Sequence, residues 1–172
     1  DWSNPPFARW FADGTLNVAY NCVDRHVESG HGAQVALLAE YEDGSDATFT
    51  YADVKDEISR MANVLVDLGV RTGDRVAIYL PMIPEAVFAM LACARLGAPH
   101  SVVFGGFSAD ALRSRIEDAE ARVVITADGQ NRRGKQLPLK AAVDEALASG
   151  GDSVEKVLVV RRTATCIAGV GS

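Results

Sequence analysis

The sequence predicts an α/β fold, a mostly parallel sheet covered by helices, and three observations carry that expectation. Short runs rich in β-branched residues, RVAIYL (75–80), RVVITA (122–127) and KVLVV (156–160), read as buried strands. Between them the apolar residues step by three and four, the spacing of an amphipathic helix. Strand and helix alternate, the order from which parallel sheets are built.

Residues 1–33 stand outside that alternation. DWSNPPFARWFADGTLNVAYNCVDRHV is rich in turn formers and aromatics, and Asn4-Pro5-Pro6 forbids a regular helix there. Trp10 and Phe11 need a surface to pack against. The segment reads as an extended aromatic arm with a short helix over 21–27.

Residues 34–163 form the α/β body. Gln34 to Glu42 reads as a strand, Asp43 to Asp46 as a turn, and Ala47 to Thr50 as a second strand. Thr50 can cap a helix whose stripe is Val54, Ile58, Met61, Leu65 and Leu68, and Gly69 ends it. The strand at 75–80 precedes a helix over 85–96, with Pro84 at its start and Gly97 at its stop. Pro99 to Phe104 is a strand, Ser108 caps a helix over 109–119, and 122–127 is a strand again. A loop, GQNRRGK (129–135), leads to a helix over 137–148 and the strand at 156–160.

Composition narrows the function classes. A chain of 172 residues with 48% hydrophobic and 23% charged residues has the profile of one globular domain. The net charge of −6 argues against nucleic acid as main partner, because phosphate backbones are bound by dense positive surfaces. Cys22, Cys93 and Cys166 show no CxxC spacing, which indicates neither a disulfide framework nor a zinc site and fits a reducing, cytoplasmic compartment. No charged-then-apolar leader opens the chain, and the longest apolar run, 86–94, is under half a membrane span, so neither a secretory signal nor a membrane partner is expected.

Ligands of such sheets gather at loops following the carboxyl ends of strands. Two loops fall there. In FGGFS (104–108), Gly105 and Gly106 permit a tight turn or close ligand approach, and Ser108 opens a helix N-terminus suited to an anion. A simple packed turn explains the same residues. In GQNRRGK three cations crowd into four positions, Arg132, Arg133 and Lys135 around Gly134. An arginine fork grips phosphate bidentately and lysine supplies a point charge. A solvated surface loop is the equal alternative on composition. His26, His31 and His100 have no nucleophile or carboxylate at motif spacing, and no catalytic set is evident. Met61, Met82 and Met90 read as core filler, and Asp24-Arg25 and Glu117-Asp118 as ordinary helix-face charges.

The stretches DWSNPPFARWF, LNVAYNCVDRHV, GDRVAIYLPMIPEAVFAMLACARLGAPHSVVFGGFSADALRSRIEDAEARVVITADG and RRGK-x-x-PLK resemble, in order from Asp1 to about Thr163, the N-terminal portion of AMP-forming acetyl-CoA synthetases. These belong to the adenylate-forming acyl-CoA ligases; propionyl-CoA synthetases are the nearest rival. The resemblance implies a chain covering part of the large N-terminal domain, with 164–172 as a divergent tail. It also implies an acetate–CoA ligase, with acetate, ATP and CoA as small-molecule substrates and magnesium accompanying ATP. Acetate attacks the α-phosphate of ATP, giving acetyl-adenylate and pyrophosphate, and the CoA thiol then displaces AMP.

By the same resemblance, Arg132 falls beside the 3′-phosphate of CoA. Lys135 falls where many members carry a second arginine, a departure that keeps the charge and loses the fork. Arg133 and Gly134 complete the CoA segment, and Phe104, Gly105 and Gly106 match the glycine turn beside the CoA nucleotide. The family's phosphate loop, acetate pocket, hinge aspartate and catalytic lysine match nothing in this sequence. The expectation is therefore a segment with CoA contacts and no catalytic residue, inactive without the remainder of a synthetase. A non-catalytic CoA- or nucleotide-binding module is the alternative.

Overall fold

The computed structural model describes residues 1–163; the divergent tail expected at 164–172, with Cys166, lies outside the described residues. Four parallel strands form the central sheet: β3 (Val76–Tyr79), β4 (His100–Val102), β5 (Val123–Ala127) and β8 (Lys156–Val160), in the order β4-β3-β5-β8. β3 and β5 are buried along their whole length. Burial on both faces is what continuous runs such as VAIY and VVITA demand, in contrast to the alternation of a half-solvated strand.

Helices supply that cover. α1 (Tyr51–Asp67) packs on α2 (Pro84–Leu96), and α3 (Ala109–Ala119) on α4 (Leu139–Ala148). The chain leaves β3 toward β4, then crosses back to β5 and on to β8. Right-handed crossovers running in opposite directions put α2 on one face and α3 and α4 on the other. The loops after β3 and β5 therefore part at the carboxyl edge, where a crevice opens. At the amino edge, Arg122 donates to Asp74 at 2.7 Å and to Glu155 at 2.9 and 2.7 Å, tying loops together.

Local chemistry sets the helix ends as the sequence implies. Thr50 and Asp53 form a reciprocal capping box: Thr50 Oγ1 accepts from Asp53 N–H at 3.2 Å, and Asp53 accepts from Thr50 N–H at 2.9 Å. The buried stripe of α1 is Val54, Ile58, Ala62 and Leu65, with Met61 and Leu68 half-buried beside it. Thr50→Ala is expected to cost about 1 kcal/mol of unfolding free energy, read by urea unfolding of the chain. Pro84 begins α2, and Gly97 ends it in the left-handed conformation, φ 69°. Ser108 Oγ accepts from Ala111 N–H at 3.3 Å and caps α3.

Four expectations need correction. The arm helix covers residues 18–31, mostly in π-helical turns (Tyr20–Asp24 and Val27–His31), rather than 21–27. It starts early because Asn17 Oδ1 accepts from Tyr20 N–H at 3.2 Å. Asp24, expected as a plain surface charge, pairs with Arg95 at 2.5 Å, and Arg95 in turn donates to Ser59 at 2.7 Å. That network staples the arm helix to α1 and α2. Met82 is 92% exposed rather than core filler, because it stands in the loop past β3. Met61 and Met90 are half-buried against the core.

The fourth concerns the loop at 129–135, which is a hairpin. β6 (Gln130–Arg132) pairs antiparallel with β7 (Lys135–Leu137) across the turn Arg133–Gly134. Both turn residues are left-handed, φ 52° and 70°, the pattern of a type I′ turn. β7 displaces the start of α4 to Leu139, and Pro138 holds Leu137 extended. A second hairpin, β1 (Val35–Glu40) with β2 (Asp46–Thr50), precedes α1. In the arm, Trp2, Phe7, Trp10 and Phe11 are all exposed, and Trp2 meets Trp10 edge-on at 6.0 Å. No helix of the described residues is long and apolar enough to cross a membrane.

Candidate functional site

The carboxyl edge gathers both loops singled out in the sequence. FGGFS follows β4, and the β6–β7 hairpin follows β5 by two residues, Asp128 and Gly129. A cavity of about 460 Å³ opens between them, lined by Tyr41, Met82, Phe104, Gly105, Gln130 and Arg132 among others.

Asp128 organises the strand exits beside the cavity. It is 2% exposed, and its carboxylate accepts backbone N–H bonds from Gly129 at 2.8 Å, Arg162 at 2.7 Å and Thr163 at 3.0 Å. Burial opposes its charge, yet the Thr163, Arg162 and Gly129 amides outweigh that and hold the carboxyl below the usual carboxylate range. One side chain thus joins the exit of β5 to the exit of β8.

The hairpin carries the cations. Arg132 and Lys135 are directly opposed across the turn, so their side chains share one face with Gln130 and Leu137. Like charges facing each other on a β-pair repel. An anion between or above them would relieve that repulsion. The half-buried Arg132 guanidinium lies 5.2 Å from the centre of the Phe104 ring, a cation–π contact.

Gly106 makes room for that contact. A Cβ there would stand 2.5 Å from Arg132 Nη1 and 2.6 Å from Phe104 Cε1. Beside it, the Gln130 side-chain amide donates to the Gly105 carbonyl at 2.7 Å. The Arg133 backbone N–H donates to the Glu42 carboxylate, which brings the β1–β2 turn against the hairpin tip. Arg162 stacks on Tyr41, 4.2 Å from the ring centre.

Phe104, Gly105, Gly106 and Arg132 therefore meet, while Arg133, Gly134 and Lys135 form the exposed tip of the hairpin. Ser108 is occupied in capping α3. Sequence reading missed Asp128, Gln130, Glu42, Tyr41 and Arg162. Only Asp128 had a local signal, a lone carboxylate directly after a fully buried strand. The others act through contacts between segments far apart in the chain.

Among the described residues no three His, Cys, Asp or Glu side chains form a group able to hold a metal ion. His26 stacks on Tyr51 at 4.7 Å, and burial pushes the His100 imidazole down. Burial pushes the Cys93 thiol up to about 12, which makes it inert as a nucleophile.

Comparison with known proteins points one way. Residues 24–168 match the family described as "AMP-binding enzyme", and residues 1–22 the family described as "Acetyl-coenzyme A synthetase N-terminus". A Streptomyces avermitilis protein named acetyl-coenzyme A synthetase is 71% identical over 163 residues, 95% of this chain and 25% of its own length. One so named from Mycobacterium tuberculosis (strain H37Rv) is 68% identical over 95% of this chain, and one from Laribacter hongkongensis 58% over 96%. The chain spans about a quarter of the length of the curated relatives it matches, 25% in each of these three.

Proposed function

The chain belongs to the AMP-binding enzyme family, and from that membership we propose that it serves in ATP-dependent activation of acetate, contributing the contact for the 3′-phosphate of coenzyme A. In this reading an acetate oxygen attacks the α-phosphorus of ATP and pyrophosphate leaves. The thiol sulfur of coenzyme A then attacks the acyl carbon of acetyl-AMP, losing its proton, and AMP departs. Splitting the reaction suits the chemistry, since AMP is a far better leaving group than oxide. Magnesium enters as counter-ion of the ATP phosphates, and no residue of this chain is assigned to it.

One observation carries the assignment of the site. The hairpin sets Arg132 and Lys135 on a single face, and Arg132 lies against Phe104 and the Gly105–Gly106 turn. A cationic face beside an aromatic ring and a glycine turn suits a phosphorylated nucleoside: Arg132 takes the phosphate and the turn admits the flat base. Arg133 and Gly134 shape the turn, and Lys135 adds a point charge. The family's nucleophilic and phosphate-loop chemistry finds no counterpart among these residues. A coenzyme A-binding role without chemistry therefore remains the second reading, and both share the same site.

Titration calorimetry of the chain with coenzyme A and with 3′-dephospho-coenzyme A tests the assignment. Coenzyme A is expected to bind roughly 10- to 100-fold more tightly, the value of one charge-assisted hydrogen bond. Equal binding of the two ligands, or binding of neither, rejects the 3′-phosphate site.

A further inference from the structure

We infer that Gln130 is a positioning residue for the 3′-phosphate contact, setting the register between the glycine turn and the cationic hairpin; the inference rests on the site assignment above. Gln130 is 7% exposed, and its amide donates at 2.7 Å to the carbonyl of Gly105, itself buried. A buried carbonyl needs such a partner, because the alternative is an unsatisfied acceptor. The same side chain also closes the space beside Gly105: a Cβ there would lie 3.3 Å from Gln130 Oε1 and 3.4 Å from the Leu80 carbonyl oxygen.

The consequence follows from strand geometry. Gln130 and Arg132 lie two residues apart on β6 and project on the same face. Once Gln130 is fixed on Gly105, Arg132 falls on the next residue of the turn, Gly106. The missing Cβ of Gly106 then lets the guanidinium reach the Phe104 ring. Gln130 touches no phosphate in this arrangement. It decides where the arginine that does so stands.

The test is calorimetry on four forms of the chain: the parent, Gln130→Met, Arg132→Ala and the double variant, each against coenzyme A and 3′-dephospho-coenzyme A. Methionine keeps the length and apolar bulk of glutamine and removes the donor. Gln130→Met is expected to weaken coenzyme A binding about 3- to 10-fold, the range for one neutral hydrogen bond, and to leave 3′-dephospho-coenzyme A unchanged. In the Arg132→Ala background the same substitution is expected to do nothing further.

Equal weakening of both ligands by Gln130→Met would mean a general folding role and overturns the inference. So would an unchanged preference in Gln130→Met beside a lost preference in Arg132→Ala, a result that leaves the site itself standing. An unchanged preference in Arg132→Ala removes the site and the inference together.

Discussion

Arg132→Ala is expected to raise the apparent KM for coenzyme A roughly 10- to 100-fold in a synthetase carrying this chain, with KM for ATP and acetate unchanged. A charge-assisted bond to phosphate is worth about 1.5–3 kcal/mol where water is partly excluded. Arg132 is half-buried and leans on Phe104, so its guanidinium is partly desolvated and held in place before the ligand arrives. An exposed cation is worth less, roughly 1 kcal/mol at most, which sets a smaller expectation for Lys135→Ala. Arg132→Lys keeps the charge but loses the planar fork and its stacking, and belongs between the two. Steady-state kinetics supply the three KM values, and ATP–pyrophosphate exchange isolates the adenylation half-reaction. An equal loss in the exchange assay would place Arg132 in adenylation and refute the contact.

Asp128→Ala is expected to lower the unfolding free energy of the chain by roughly 3 kcal/mol, read by urea unfolding followed by circular dichroism. Its carboxylate serves the amides of Gly129, Arg162 and Thr163, and alanine offers them nothing in return. The loss also unties β5 from the exit of β8 at the edge where the ligand is proposed to bind. The pH dependence has a definite sign. The folded carboxyl titrates below its reference value of 3.8, so its stabilising contribution is complete above 3.8 and is lost as pH falls from there through the folded value. Asp128→Asn keeps the shape without the charge, and is expected to flatten that acid limb relative to the parent. An acid limb unchanged in Asp128→Asn would assign the pH dependence to other carboxylates.

Much of the framework was legible because its signals are local. Thr50, Pro84, Gly97 and Ser108 each act on backbone groups within a few residues, and each appears where the sequence puts it. Continuous apolar runs likewise announce β3 and β5. The hairpin at 130–137 was not legible, because its turn is Arg133–Gly134 rather than the asparagine–glycine pair that usually marks a type I′ turn. Its chain is polar and short, with no apolar face to set a period. Met82 carried the composition of a core residue and the position of a loop residue, and position decided. Asp24 gave no hint of Arg95, which lies far along the chain. The same distance hid Gln130 from Gly105 and Glu42 from Arg133.

The placement of the tryptophans governs how this protein is to be watched. The chain has two, Trp2 and Trp10, and both stand in the arm, 61% and 72% exposed and edge-on to one another. Their intrinsic fluorescence is therefore a probe of the arm alone. Docking of the arm onto a further surface would shift that emission to the blue while the sheet stays unaltered. Melting of the sheet would pass almost unseen at tryptophan wavelengths. The natural optical reporter of the core is Tyr79, 1% exposed in the central sheet, with its hydroxyl donating to the Phe107 carbonyl at 3.0 Å, beside the glycine turn.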